Sequence, residues 1–162
     1  MLKNVLSYKT CADCRICCSF VKEDAWESPV FSEEDMKKIL ALGIDGSRFQ
    51  EKEENGQKIY TAKYDFKTDS QILLCPCLDE KSGCMLGDDK PFECSIWPVR
   101  VFENESGAYL GVASACPAFE GEKLEKILHE LKENGLEKKI LSMKRRLNKV
   151  NKEAEGYHIV DR

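Results

Sequence analysis

Residues 11 to 18 read CADCRICC, which sets four thiols within eight positions, and the other five of the nine cysteines lie between Cys75 and Cys116. No other feature constrains the fold as much, because whatever engages these thiols must also draw distant loops to one place. Cys11, Cys14 and Cys17 have C-x2-C-x2-C spacing. That spacing lets consecutive thiolates converge on one centre while the intervening amides point at the sulfurs. It is the pattern of iron-sulfur ligation, where a further thiolate can come from elsewhere in the chain and precede a proline. Cys75-Pro76 and Cys116-Pro117 both meet that description. Zinc also accepts two thiolates from a C-x2-C knuckle and two from a distant pair, so the spacing leaves the metal open.

Disulfides are the competing use of so many thiols. A chain of 162 residues buries roughly two-thirds of the surface its unfolded form exposes, so it can build a core without covalent staples. The N-terminus, MLKNVLSYKTCADC, has neither an apolar h-region nor a small-residue cleavage site. No apolar run approaches the ~18 residues of a membrane span. A cytoplasmic protein with no membrane association is therefore expected, and thiols there are kept reduced. The odd number of cysteines also argues against full pairing. With 33% charged residues and a net charge of -4, the composition is that of one soluble domain.

Along the chain, a cysteine-bearing first part gives way just after Cys116 to a cysteine-free end. In VFSEEDMKKILALG, Ser32 is placed as a helix cap, Asp35 as its capping-box acid, and Phe31 and Met36 as a hydrophobic staple, with Gly43 as the stop. Residues 57 to 64 and 70 to 74 have the β-branched and aromatic content of strands, the second running into Cys75. Two apolar runs around Asn104 to Gly107 predict a hairpin, with Cys94 before it and Cys116 after it. Leu124, Ile127, Leu128 and Leu131 predict an amphipathic helix ending at Asn134 and Gly135. Ile140, Met143, Leu147 and Val150 predict a second helix from Leu136 that stops before Gly156.

The downstream cysteines sit in CPCLDEKSGCMLGDDKPFECSIWP, which contributes Cys75, Cys77, Cys84 and Cys94 among prolines and glycines that hold fixed, non-helical paths. Free cysteine is also a common small core residue, so some of these could simply be packing. The order C-x2-C-x2-C-C, then C-P-x-L-D with a cysteine nine positions after its first, then P-x-x-C with an aromatic-proline pair, then C-P, resembles the zinc- or iron-chelating cysteine-cluster family named for its CxxCxxCC signature. Its motif cysteines correspond to Cys11, Cys14, Cys17, Cys18, Cys75, Cys84, Cys94 and Cys116, and its aromatic-proline pair to Trp97-Pro98. The resemblance covers residues 11 to 117. It implies a metal centre, an iron-sulfur cluster or zinc, on a small bacterial cytoplasmic domain. Flagellin lysine methylases carry a similar signature within longer chains.

Three positions depart from that pattern. Cys77 stands where an aromatic is usual, which makes it the extra cysteine rather than a ligand, and Lys90 and Ser95 replace arginines common beside the P-x-x-C element. The latter two weaken the case for an anionic substrate site. Eight ligands fit two mononuclear four-thiolate sites, or one cluster with structural thiols beside it. A trans peptide holds the Cα atoms of Cys17 and Cys18 about 3.8 Å apart with diverging side chains, so the two thiols are expected to face different partners. Cys11, Cys14 and Cys17 are expected on the main centre and Cys18 on a second contact.

A thiol-exchange enzyme is the rival from another class, but nothing before Cys11 reads as the strand of a βαβ unit. A vicinal Cys17-Cys18 disulfide acting as a redox sensor is a further alternative. GxGxxG, GxxxxGK[ST], GxSxG and HExxH are absent. His129 and His158 lie outside the cysteine region, and His129 reads as a solvated helix residue. Lys138, Lys139, Lys144, Arg145, Arg146, Lys149 and Lys152 cluster near the C-terminus. A solvated face balancing an acidic domain is favoured there over nucleic-acid binding, and a protein partner is left open.

The expected fold is α+β, a small metal-organised domain with a short β-hairpin or sheet, irregular cysteine loops and two to three helices, the last two C-terminal. Residues 1–119 form the cysteine-cluster region in this reading, and residues 120–162 a helical extension packed on the same domain. The expected function is metal binding, with a [4Fe-4S] cluster favoured in a redox or cofactor-assisted role. The alternative is structural zinc in an interaction or nucleic-acid adaptor module. Enzyme status is left open.

Overall fold

The computed structural model describes residues 12–54, 56–116, 122–133, 135–143, 148–149 and 156–160. The fold is α+β, with several small sheets and with helices that include a C-terminal pair. Among the described residues, those from Ala12 to Ser95 and those from Ile96 onward form separate compact units. The division lies upstream of the compositional break after Cys116. Among the described residues no helix is long and apolar enough to cross a membrane.

The first unit is assembled from short pieces. In chain order they are β1 (Ser19–Phe20), β2 (Val30–Phe31), α1 (Glu33–Ala41), β3 (Phe49–Glu54), β4 (Gln57–Ala62), β5 (Leu73–Leu74), β6 (Leu78–Asp79) and β7 (Gly83–Cys84). A further short helix, α2 (Phe92–Ile96), stands at the boundary between the units. The sheets here run β2-β4-β3, β1-β5 and β6-β7, all antiparallel.

Helix α1 is specified locally. The Ser32 hydroxyl accepts from the Asp35 amide at 3.2 Å and the Asp35 carboxylate accepts from the Ser32 amide at 2.7 Å, closing the expected capping box. At the other end Gly43 takes φ 78°, and the amides of Gly43 and Ile44 reach back to the carbonyls of Leu40 and Ile39. This is a Schellman stop, with Ile44 buried near Ile39 as its apolar contact. Met36 and Ile39 turn inward onto a core that contains Phe20, Phe31, Phe49 and Leu86. Burying each such side chain contributes roughly 1.5–3 kcal/mol.

The expected strand over 57–64 forms as β4, and of residues 70–74 only Leu73 and Leu74 are in a strand. Strand β3 has no counterpart in the sequence reading. Its sequence, FQEKEE, is exposed at every position after Phe49, so it has no apolar face to betray it. It is a strand because it pairs with β4 over its whole length, from Phe49 opposite Ala62 to Glu54 opposite Gln57.

The second unit is more regular. Strands β8 (Val99–Asn104) and β9 (Gly107–Ala113) form the expected hairpin, with the Ser106 amide bound to the Asn104 side chain in the turn. Helices α3 (Glu122–Glu133) and α4 (Leu136–Met143) follow, and they bury Ile127, Leu131, Leu136 and Ile140. Strands β10 (Asn148–Lys149) and β11 (Tyr157–Ile159) complete a sheet of order β10-β8-β9-β11. Phe102 lies at its centre, stacked on Tyr109 and edge-on to Tyr157.

The second C-terminal helix is therefore shorter than its periodicity predicts. It ends at Met143, and Asn148 and Lys149 pair in parallel with Phe102 and Glu103 of β8. Pairing along the open side of β8 wins over continued helix there. Leu147 and Val150 lie outside the described residues. So do Lys144, Arg145, Arg146 and Lys152, while Lys138 and Lys139 are exposed on α4 and Lys149 is on a strand.

Candidate metal centre

The N-terminal cysteines enter the first unit through a tight turn. Arg15 takes a left-handed backbone at φ 57°, after which Ile16–Cys18 form a single 3-10 turn closed by a Cys18 amide to Arg15 carbonyl bond of 2.9 Å. Strand β1 follows and pairs with β5, Ser19 opposite Leu74 and Phe20 opposite Leu73. The same register carried one step further sets Cys18 against Cys75, whose amide donates to the Cys18 carbonyl at 2.8 Å. Antiparallel pairing thus joins the two cysteine groups of the sequence.

Cys75-Pro76-Cys77 is then the corner between two ribbons. Upstream is β5; downstream is β6, where Leu78 lies opposite Cys84 and the Met85 amide donates to the Cys77 carbonyl at 2.9 Å. The corner is deeply buried, with Cys75 and Cys77 at 7% and 2% exposure, and Cys18, Cys84, Tyr64 and Phe66 pack against the same core. Tyr64 lies against Phe20 and its hydroxyl is 3.3 Å from that of Ser28. Burial pushes its phenol well above the usual tyrosine range.

The thiols respond to this setting in distinguishable ways. Cys75 is held well above the ordinary thiol range, first by its hydrogen bond with the Cys77 thiol and then by burial. Burial also raises Cys84, but the amides of Leu86 and Gly87 point at its sulfur and oppose the rise. Such amide-to-sulfur bonds favour the thiolate, the form that ligates metals. Gly87 takes φ 53° in this Cys84-to-Gly87 turn. The sulfurs of Cys17 and Cys18 are 3.9 Å apart, so the neighbouring side chains do not diverge as peptide geometry alone suggested.

The expected ligand set is thus gathered in part. Cys18, Cys75 and Cys84 share one core with Cys77, and Cys17 stands beside Cys18. Cys14 and Cys94 are half-buried, the latter on α2. Cys116 is buried in the second unit, and Cys11 lies outside the described residues. Among the described residues, no three histidine, cysteine or acidic side chains approach closely enough to hold a metal ion. The fit to a thiophilic metal accordingly rests on the chemistry of the donors, several thiols in one apolar region with amides aimed at one of the sulfurs. His129 is exposed on α3, as a solvated helix residue should be, and the side chain of His158 lies outside the described residues.

Cys77, set apart in the sequence as the extra cysteine, shares the buried corner with Cys75. The C-P-C spacing was the available signal, since two residues flanking one proline stay close whatever the surrounding fold. No family model, curated protein or solved structure matches this chain.

Proposed function

We propose that this is a metal-binding cysteine-cluster protein of the CxxCxxCC kind, and that the first unit carries its metal through thiolates of the 11–18 loop and of the 75–84 corner. The observation that carries this reading is the joining of Cys18 to Cys75 by strand pairing, beside Cys77 and Cys84 in one core. An iron-sulfur cluster, [4Fe-4S] in type, is favoured, because the C-x2-C-x2-C run and the C-P step are its ligand pattern. Such a cluster would supply redox chemistry or assist a cofactor-dependent reaction. Cys11, Cys14 and Cys17 are the first candidates to hold it, with Cys75 as the downstream thiolate. A structural zinc in an interaction module is the second reading, favoured by the Cys84 turn, whose amides cradle a single sulfur. In both readings the protein resides in the cytoplasm; a protein partner is left open, and a nucleic-acid adaptor role is the less favoured form of the zinc reading.

Anaerobic purification followed by an absorption spectrum and assays for iron, sulfide and zinc tests the proposal. A brown protein absorbing near about 400 nm with matching iron and sulfide, both lost in Cys14→Ser, is the expected result. A colourless protein with stoichiometric zinc would replace the cluster with a structural ion. Neither metal in a preparation kept free of chelators would remove the proposal.

A further inference from the structure

Among the described residues Arg15 is the only non-glycine with a left-handed backbone, a conformation that costs L-residues energy and persists where surrounding contacts impose it. Those contacts are present. The Arg15 carbonyl accepts from the Cys18 amide at 2.9 Å and the Ser19 hydroxyl at 3.1 Å. Its guanidinium donates to the Ala12 carbonyl at 3.0 Å and to the Glu80 carbonyl, with the Glu80 carboxylate 3.9 Å away. Glu80 lies in the turn between β6 and β7, and Cys84 ends β7.

The opposite end of the turn is fitted to the same loop. A Cβ on Gly83 would stand 2.9 Å from the Ala12 Cβ and 3.2 Å from its Cα, and Gly83 has φ 85°. Only glycine lets the loop lie so close. One planar side chain thus ties the loop's own carbonyl at Ala12 to a carbonyl far along the chain, a task that suits a guanidinium fork and not a lysine.

We infer that Arg15 is a positioning residue that locks the 12–18 cysteine loop onto the Cys84 hairpin, with Gly83 as the seat that admits it. The lock sets where Cys14, Cys17 and Cys18 stand relative to Cys75, Cys77 and Cys84. Its effect on metal affinity rests on the metal-binding reading above, whereas the docking itself does not.

The test uses the full chain, reduced and stripped of metal, alkylated with iodoacetamide and followed by peptide mass spectrometry. In Arg15→Met the labelling rates of Cys14, Cys17 and Cys18 are expected to rise about three- to tenfold, the effect of losing charge-assisted hydrogen bonds at a half-exposed side chain. Cys77 and Cys116 are expected to keep their wild-type rates. Gly83→Ala should reproduce this selective pattern from the other side of the contact. Glu80→Ala, which keeps the backbone carbonyl, should resemble wild type. Zinc affinity, read by competition with a chromophoric chelator, should fall in Arg15→Met by about the same factor as labelling rises.

Unchanged labelling in both Arg15→Met and Gly83→Ala would overturn the inference. A rise shared equally by Cys77 and Cys116 would also overturn it, since that is general unfolding. A wild-type chain that takes up neither zinc nor iron, combined with the selective rise in Arg15→Met, would remove the metal reading and uphold the lock.

Discussion

The two compact units reach a folded state by different means. From Ile96 onward, a six-residue strand and a seven-residue strand make a hairpin around Phe102, and two amphipathic helices bury aliphatic side chains. Regular hydrogen-bonded ladders and periodic apolar faces suffice to organise that unit. Before Ser95, four of the seven described strands, β1, β5, β6 and β7, are two-residue ribbons flanking the cysteines. Ribbons of that size are marginal alone. Their core mixes aromatic rings with the thiols of Cys75 and Cys77. The contrast implies that the first unit leans on its thiol-containing core, while the second is organised by its ladders and helices.

If the first unit holds a metal as proposed, removing that metal should expose the difference most strongly. Treating the loaded protein with a chelator is expected to erase amide-exchange protection over residues 73–85 while residues 99–113 stay protected. A structural ion can contribute on the order of 10 kcal/mol to its own domain. Equal protection of both segments before and after chelation would abolish the distinction.

Phe102→Ala probes the second unit in the reverse sense. Phe102 is 0% exposed and contacts two tyrosine rings, so its truncation should cost about 3–5 kcal/mol in denaturant unfolding. Protection should be lost over residues 99–113 first, and metal content should not change. Loss of metal in this variant would show that the second unit matters to the site.

Gly111→Ala should act in the same place with a smaller effect. The added Cβ would come within 2.8 Å of the Phe102 ring and 3.2 Å of the Tyr157 Cβ, and overpacking of this kind costs roughly 1–3 kcal/mol. An unchanged midpoint would mean that the sheet spreads freely at that point, contrary to the close ring packing described above.

Ser32→Ala is the mildest. It removes one half of the α1 capping box and should cost about 1 kcal/mol, seen as a shift in the unfolding midpoint of the first unit. A loss several times larger would mean that α1 supports the cysteine corner more directly than its contacts indicate.

How far the structure could be read beforehand depended on where each element's information lay. Helix α1 was legible because Ser32, Asp35 and Gly43 write its ends into the sequence. The β8-β9 hairpin was legible because two apolar runs flank polar turn residues. Strand β3 was not, since a charged segment exposed along its length becomes a strand only when β4 lies beside it. Strand β10 was mistaken for helix because Leu147 and Val150 continue the apolar spacing of Ile140 and Met143, and only the open side of β8 offers the alternative.

The candidate site divides in the same way. Thiol chemistry, the grouping of Cys11 to Cys18 and the second group from Cys75 follow from residue types and spacing, which are local properties. That Cys18 meets Cys75, that Cys77 joins them, and that Arg15 fastens the loop beside Cys84 depend on strand register and on carbonyls remote in sequence. Such meetings are set by which backbone groups find partners in the assembled chain, and no local pattern encodes them. The sequence by itself determined the thiols and their grouping; the tertiary structure decided which of them stand together.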